Sequence, residues 1–157
     1  MSTTTSAAST VHHGAPGWIA RGGDRRPWMG PVLAVAGLYN ILWGAVVILF
    51  PQWTLSLLDL PDQSAVTLNF WACIGMIVGV YGVGYLAAAR DPLRHWPIVL
   101  VGFLGKIFGP IGLVKPWNDG TLPSEFWLTI IFNDLIWWVP FALILLAAWR
   151  SRGGVRG

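Results

Sequence analysis

Two charged side chains, Lys106 and Asp134, lie near the middle of long apolar segments of this chain. A charge at the centre of a bilayer costs about 3 kcal/mol on insertion scales. Such residues therefore pair with one another, or they act as a proton relay or as the anchor of a polar ligand. These two positions are the first candidates for chemistry in the sequence.

The two charges fall at a similar depth in a membrane. At about 1.5 Å per residue, Lys106 lies about 15 Å from the arginine-flanked end of its segment. Asp134 lies about 18 Å from the same side of a hydrocarbon core that is about 30 Å thick. Because consecutive segments usually neighbour each other, we predict a direct ion pair between Lys106 and Asp134.

Two amides, Asn40 and Asn133, reach the same layer. We predict that Asn40, Lys106, Asn133 and Asp134 form one intramembrane polar cluster in the centre of the protein. The cluster can be a structural network that fixes helix register, with each charge paired. It can equally be a proton relay or a ligand anchor, and the sequence leaves both alternatives open.

The composition is that of a membrane protein. Of 157 residues, 55% are hydrophobic and 11% are charged, whereas soluble domains carry about 25% charged residues. The apolar residues form four blocks, 28–50, 66–89, 96–114 and 126–149, and each matches the span of about 17–25 residues that crosses a bilayer. We therefore predict an all-α membrane protein whose four transmembrane helices make up a domain over 28–150.

The basic residues predict the orientation. All arginines flank the apolar blocks, and they are Arg21, Arg25, Arg26, Arg90, Arg94, Arg150, Arg152 and Arg156. Because cytoplasmic loops are rich in Lys and Arg, both termini are predicted to be cytoplasmic, with Lys115 alone on the other side. This placement explains the positive charge without nucleic acid as a partner. Eight arginines against two lysines are typical of a GC-rich bacterial genome, which favours a bacterial inner (cytoplasmic) membrane.

Short connections predict the arrangement of the helices. The apolar stretch 51–63 is too short to span, which indicates an interfacial half-helix between the first and second spanning helices. Turns at Asp91-Pro92 and Asn118-Asp119-Gly120 then predict a four-helix antiparallel bundle. Residues 1–27 read as a flexible polar cytoplasmic tail and 151–157 as a basic C-terminal tail.

Glycines and tryptophans suggest how the helices pack. The third block has four glycines on one face and the second has two at small-xxx-small spacing: Gly102, Gly105, Gly109, Gly112, Gly75 and Gly79. We predict from these that the second and third spanning helices form the tightest pair. Most of the eleven tryptophans lie at segment ends, as in aromatic belts. The deeper Trp43, Trp137 and Trp138, with Tyr39, are candidates for the wall of a hydrophobic pocket, or else for core or lipid-facing packing.

Catalytic signatures are missing from the sequence. No histidine lies within an apolar block, which argues against a haem with histidine ligands, and no CxxC, HExxH, Walker or nucleophile-elbow pattern occurs. The pair His12-His13 is too isolated to predict a metal site. We predict no catalytic residue, metal or cofactor, while contact with quinone or lipid stays open.

Several short motifs occur in a characteristic order over about residues 30–150. They are Leu49-Phe50-Pro51, a leucine-rich half-helix ending at Leu60-Pro61, a glycine-rich helix over 74–89, Arg90-Asp91-Pro92, Trp96-Pro97, and a second glycine-rich helix closing at Asp119-Gly120. In this order the sequence resembles the DoxX-like group of small four-helix membrane proteins, which are mostly uncharacterised. Some members of the wider group are accessory subunits of membrane redox systems, including quinone-linked oxidation of sulfur compounds. No catalytic residue of the group maps onto this sequence.

Three functions follow as hypotheses. The first is a non-catalytic accessory or scaffold subunit, redox-linked if the resemblance extends to function, that packs in the bilayer against other membrane subunits or its own copies. The alternative is a small transporter or proton-coupled carrier that uses the Lys106–Asp134 cluster. An enzyme acting on lipid or quinone ranks last, since the sequence has no nucleophile or cofactor motif.

Overall fold

The computed structural model describes residues 26–153, so most of the predicted N-terminal tail and the last four residues lie outside it. All regular elements of this described part are helical. In chain order they are α1 (Met29–Leu49), α2 (Pro51–Leu57), α3 (Ala65–Ala89), α4 (Trp96–Asn118), α5 (Phe126–Ile130), a π-helical turn (Ile131–Leu135) and α6 (Ile136–Gly153). Helices α1, α3 and α4 and the continuous run from α5 to α6 are long and apolar enough to cross a membrane. The four apolar helices of the predicted all-α fold are thus confirmed.

The helix ends follow local chemistry. Pro51 occupies the first turn of α2, where its missing N–H is not needed. The predicted half-helix over 51–63 is shorter than expected, because Asp59 adopts a left-handed conformation with φ of 51° just after α2. Helix α3 then begins at a serine cap, where the Ser64 hydroxyl accepts from the Thr67 backbone N–H at 3.3 Å.

Helices α1 and α3 form the largest helix–helix interface, and their backbones touch. A Cβ atom at Gly37 would lie 2.8 Å from the Gly82 carbonyl oxygen, and one at Gly44 would lie 2.4 Å from the Gly75 carbonyl oxygen. Only glycine permits this approach. The prediction that the second and third spanning helices pair most tightly is therefore wrong, since α3 turns Gly75 and Gly82 toward α1 and contacts α4 far less.

A large aromatic side chain connects α3 to α4 and α6. The Tyr85 ring meets the Phe141 ring edge to face, with 5.0 Å between the ring centroids. The same tyrosine fills the space above Gly102, where a Cβ atom would lie 2.1 Å from the Tyr85 hydroxyl oxygen. The Tyr85 side chain thus explains why position 102 is a glycine. Tyr85 and Phe141 belong to the larger of two buried apolar clusters.

The second apolar cluster lies where α2 packs on α1 and α3. Its buried members are Val47, Leu55, Leu58 and Trp71. The Trp71 indole N–H donates to the buried Thr54 hydroxyl at 2.8 Å, and that hydroxyl donates to the Phe50 carbonyl at 3.1 Å. Helix α2 is thereby fixed to the ends of the two longer helices.

Candidate functional site

The central feature of the site is an ion pair between α4 and the π-helical turn. Lys106 Nζ lies 3.8 Å from Asp134 Oδ1, and the two side chains are only 6% and 14% exposed. The contact predicted from residue depth is therefore present. Two charges held at this depth stabilise each other, because each would otherwise lie unpaired in an apolar medium.

The π-helical turn supplies the second half of the site. Its wider winding covers Ile131–Leu135 and therefore includes Asn133 and Asp134. The Lys106 ammonium donates to the Asn133 backbone carbonyl, and the Asn133 side-chain amide donates to Asp134 Oδ1 at 3.3 Å. Asn133 thus orients both charges, one through its backbone and one through its side chain. Single turns of π-helix occur frequently at functional sites.

The backbone of Lys106 is also held from across the interface. Pro110 lies four residues further along α4 and has no N–H, so the Lys106 carbonyl loses its usual helical partner. The Trp138 indole N–H takes that place and donates to the Lys106 carbonyl at 3.0 Å. Sequence reasoning missed this contact, although a proline four residues after a buried lysine marks a free carbonyl at that lysine.

We expect Trp138→Phe to lower the free energy of unfolding by about 1–3 kcal/mol, because it leaves the Lys106 carbonyl without a donor. In a Pro110→Ala background the loss should shrink, since the restored N–H at position 110 can reach that carbonyl. Unfolding in detergent micelles, followed by circular dichroism, measures both effects. The exposed Trp149→Phe is the matched control. A loss from Trp138→Phe that Pro110→Ala does not change would contradict this role.

Asn40 does not join this network through its side-chain oxygen. It is buried on α1, with 2% of its surface exposed, and its Oδ1 atom has no hydrogen-bond partner in the described part of the chain. The described hydrogen bonds and ion pair bring together Lys106, Asn133 and Asp134. Two further buried atoms, Asn133 Oδ1 and Trp137 Nε1, also lack partners there. The site therefore has unused hydrogen-bonding capacity.

The four candidate wall residues occupy different places. The Tyr39 and Trp137 rings are in contact, with 6.1 Å between their centroids, and connect α1 to α6. Trp138 is engaged with the Lys106 carbonyl. Trp43 packs against the cluster formed by α1, α2 and α3.

One face of α4 is open. Gly105, Gly109 and Gly112 are all exposed, and we call them the α4 glycine face. A Cβ atom at Gly105 or at Gly112 would meet nothing within 4 Å, and one at Gly109 would meet only Asp134 Oδ2, at 3.8 Å. The carboxylate of the ion pair therefore lies at the edge of this face.

Other chemistry is sparse in the described part of the chain. It contains no group of three or more His, Cys, Asp or Glu side chains that could hold a metal ion, and Cys73 is a free, exposed thiol. Comparisons with family models, with curated proteins and with solved structures find no match to this chain. The geometry of the polar cluster and of the surrounding surface is therefore the guide to function.

Proposed function

We propose that this protein is a non-catalytic accessory subunit that packs in the bilayer against other membrane helices through the α4 glycine face. Close approach of two backbones drives helix association within lipid, where apolar side chains gain little by leaving the acyl chains. Gly105 and Gly109 have the GxxxG spacing that permits such an approach. The proposal includes membership of the DoxX-like group and, with it, a membrane redox system as the complex.

The observation that carries the proposal is the contrast between the two glycine-lined faces. On α1 and α3, Gly37, Gly44, Gly75 and Gly82 are buried against each other's helix. On α4, Gly105, Gly109 and Gly112 are exposed instead, although the GxxxG spacing of the first two would let a helix pack there. A helix from another subunit or from a second copy of the chain is the partner that this surface fits.

The proposed topology is an antiparallel bundle. Gly30 near the start of α1 packs on Ala89 at the end of α3, and Gly44 near the end of α1 packs on Gly75 within α3. Contacts that run in opposite order along two helices support an antiparallel pair. Short connections between α3, α4 and α5 support the same arrangement for the rest.

The distribution of basic residues supports a cytoplasmic location for both ends of this bundle. Arg26 and Arg150 line one cavity, and the Arg152 guanidinium lies 4.3 Å from the centroid of the Trp96 ring at the start of α4. Lys115 lies near the opposite end of α4. By the positive-inside rule the arginine-rich end faces the cytoplasm, in the proposal that of a bacterial inner membrane.

The geometry favours a subunit over the alternative carrier. A carrier must release one of its charged groups to substrate or proton during each cycle. Here the Lys106 ammonium contacts both the Asn133 carbonyl and the Asp134 carboxylate, and Trp138 holds the Lys106 backbone. Three contacts from the π-helical turn and α6 thus fix Lys106, which suits a structural role in setting the helix register.

Native mass spectrometry of gently solubilised membranes tests the proposal. The protein is expected to appear in a complex with another membrane protein or with its own copies. The double variant Gly105→Leu, Gly109→Leu should reduce the complexed fraction at least about tenfold, which corresponds to about 1.4 kcal/mol of association energy. A Cβ atom at Gly105 would meet nothing within 4 Å and one at Gly109 would meet only Asp134 Oδ2, at 3.8 Å, so leucine at these positions adds its bulk on the open face of α4 and separates the helices.

The matched control is Ala142→Leu, which enlarges an exposed small residue on α6. This variant should keep the complexed fraction of the unmodified protein. A protein found only as a free monomer would contradict the proposal. So would a double variant that assembles as well as Ala142→Leu.

A further inference from the structure

The start of α1 and the end of α6 enclose a surface cavity of about 300 Å³, well away from the polar cluster. Two arginines lie beside mostly apolar residues in its lining, which includes Arg26, Met29, Leu143, Leu146, Ala147 and Arg150. A charged rim beside an apolar wall is the lining expected of a site that binds an amphipathic ligand. We propose that this cavity binds an anionic phospholipid, with the phosphate between Arg26 and Arg150 and an acyl chain along α6.

The two arginines are available for a phosphate. Neither Arg26 nor Arg150 forms an ion pair with a carboxylate among the described residues. Arg152 differs, because its guanidinium stacks over the Trp96 ring. The planar guanidinium matches phosphate oxygens with two parallel N–H donors, so two arginines at one cavity form a strong phosphate site.

The start of α1 adds a further attraction for an anion. Among the described residues, the first turn of α1 has no side-chain cap and no acidic residue, so the positive end of the helix dipole meets no carboxylate there, although the Met29 N–H donates to the Arg26 carbonyl at 3.2 Å. Met29, which lines the cavity, is the first residue of α1. The dipole and the two guanidinium groups therefore act on the same space.

The apolar wall identifies the ligand as a lipid rather than a free phosphate. Leu143 and Leu146 are 47% and 44% exposed, and they continue the cavity along α6. At about 1.5 Å per residue, Leu143 lies about 10 Å from Arg150 along the helix, which is the direction from headgroup level into the hydrocarbon. A soluble phosphate would leave this surface uncovered, whereas an acyl chain covers it.

Native mass spectrometry after purification from vesicles of equal phosphatidylcholine and phosphatidylglycerol tests the proposal. The full-length protein should retain phosphatidylglycerol over phosphatidylcholine. Arg26→Gln, Arg150→Gln should weaken that retention about 30-fold, or about 2 kcal/mol at 1.4 kcal/mol per tenfold, as expected for two arginines at a membrane surface. Leu146→Glu keeps both arginines but adds a carboxylate to the cavity, and it should weaken retention in the same direction.

The matched control is Arg90→Gln, Arg94→Gln, which removes two exposed arginines from the loop between α3 and α4. Circular dichroism of each variant confirms that the helices are intact before the retained lipid is quantified. Equal losses in the two double variants would overturn the proposal, since retention would then follow total charge alone. Displacement of the lipid by inorganic phosphate at millimolar concentration would also overturn it, because the site would then recognise phosphate without the acyl chain.

Discussion

Lys106→Met is expected to lower the free energy of unfolding by about 3–5 kcal/mol. The substitution leaves the Asp134 carboxylate, which is 14% exposed, without its counter-charge. It also removes the donor to the Asn133 carbonyl. An uncompensated buried charge and an unpaired acceptor both destabilise the folded state, and both effects arise at one position. Unfolding in detergent micelles, followed by circular dichroism and tryptophan fluorescence, measures the loss.

The double variant Lys106→Met, Asp134→Leu should recover most of this loss. Replacing a buried ion pair by apolar residues is often neutral for stability, because the desolvation of both charges is no longer required. The two single variants and the double variant form a cycle that isolates the energy of the pair. Because the double variant should recover most of a loss of about 3–5 kcal/mol, we expect a coupling of about 3 kcal/mol or more, at the upper end of the range for residues in direct contact.

The chain has its own control for this experiment. Lys115 and Asp119 form an i,i+4 ion pair at the end of α4, where the lysine side chain is 85% exposed. Lys115→Met should change stability by less than about 1 kcal/mol, because exposed pairs are screened by solvent. If Lys106→Met is no more destabilising than Lys115→Met, the mid-membrane pair does not stabilise the fold.

The same double variant separates the subunit from the carrier. An accessory subunit in which apolar side chains replace both charges should still assemble with its partner, since the α4 glycine face is unchanged. A proton-coupled carrier would lose transport completely, because no titratable group would remain at mid-depth in α4 or the π-helical turn. A folded double variant that fails to assemble would contradict the structural role proposed for the pair.

Sequence reasoning predicted the parts of the fold that depend on local properties of the chain, such as apolar length and helical rise. Apolar length predicts each spanning helix, and α1 and α3 begin and end within one residue of the predicted bounds. Helical rise predicts the contact of Lys106 with Asp134, because depth depends only on position along a helix. Helix α4 continues four residues beyond its predicted end, with Lys115 near its C-terminal end and paired with Asp119.

The features that sequence reasoning missed are those that depend on which helix faces pack against each other. The glycines of α3 could pack on either neighbour, and only the matching glycines at Gly37 and Gly44 select α1. The π-helical turn has no marker in the sequence comparable to a proline, yet it determines how Asn133 and Asp134 present themselves to Lys106. Asn40 has the right depth, but its side-chain oxygen forms no hydrogen bond among the described residues. The depth of a residue in the membrane is thus predictable from its own helix. Which face of a helix packs on a neighbour depends on the sequences of both helices.

Gly44→Ala is the second substitution with a large expected effect, a loss of about 3 kcal/mol in the free energy of unfolding. The added Cβ atom would lie 2.4 Å from the Gly75 carbonyl oxygen and 2.9 Å from the Gly79 backbone nitrogen. Both neighbours are backbone atoms, so no side-chain rotation can relieve the overlap. Helices α1 and α3 must move apart, and they lose van der Waals contact along their whole interface. The same unfolding measurement in micelles detects this loss.

Gly79→Ala is the matched control, because it adds the same methyl group to the same helix pair. A Cβ atom at Gly79 would meet nothing within 4 Å, so this variant should keep the stability of the unmodified protein or slightly exceed it, since alanine favours helix over glycine. The two alanine variants differ only in whether a backbone lies opposite the new methyl group. Equal effects of the two would mean that helix propensity, and not backbone contact, governs the response of the α1–α3 interface. A large loss confined to Gly44→Ala would show that contact between the two backbones holds the interface together.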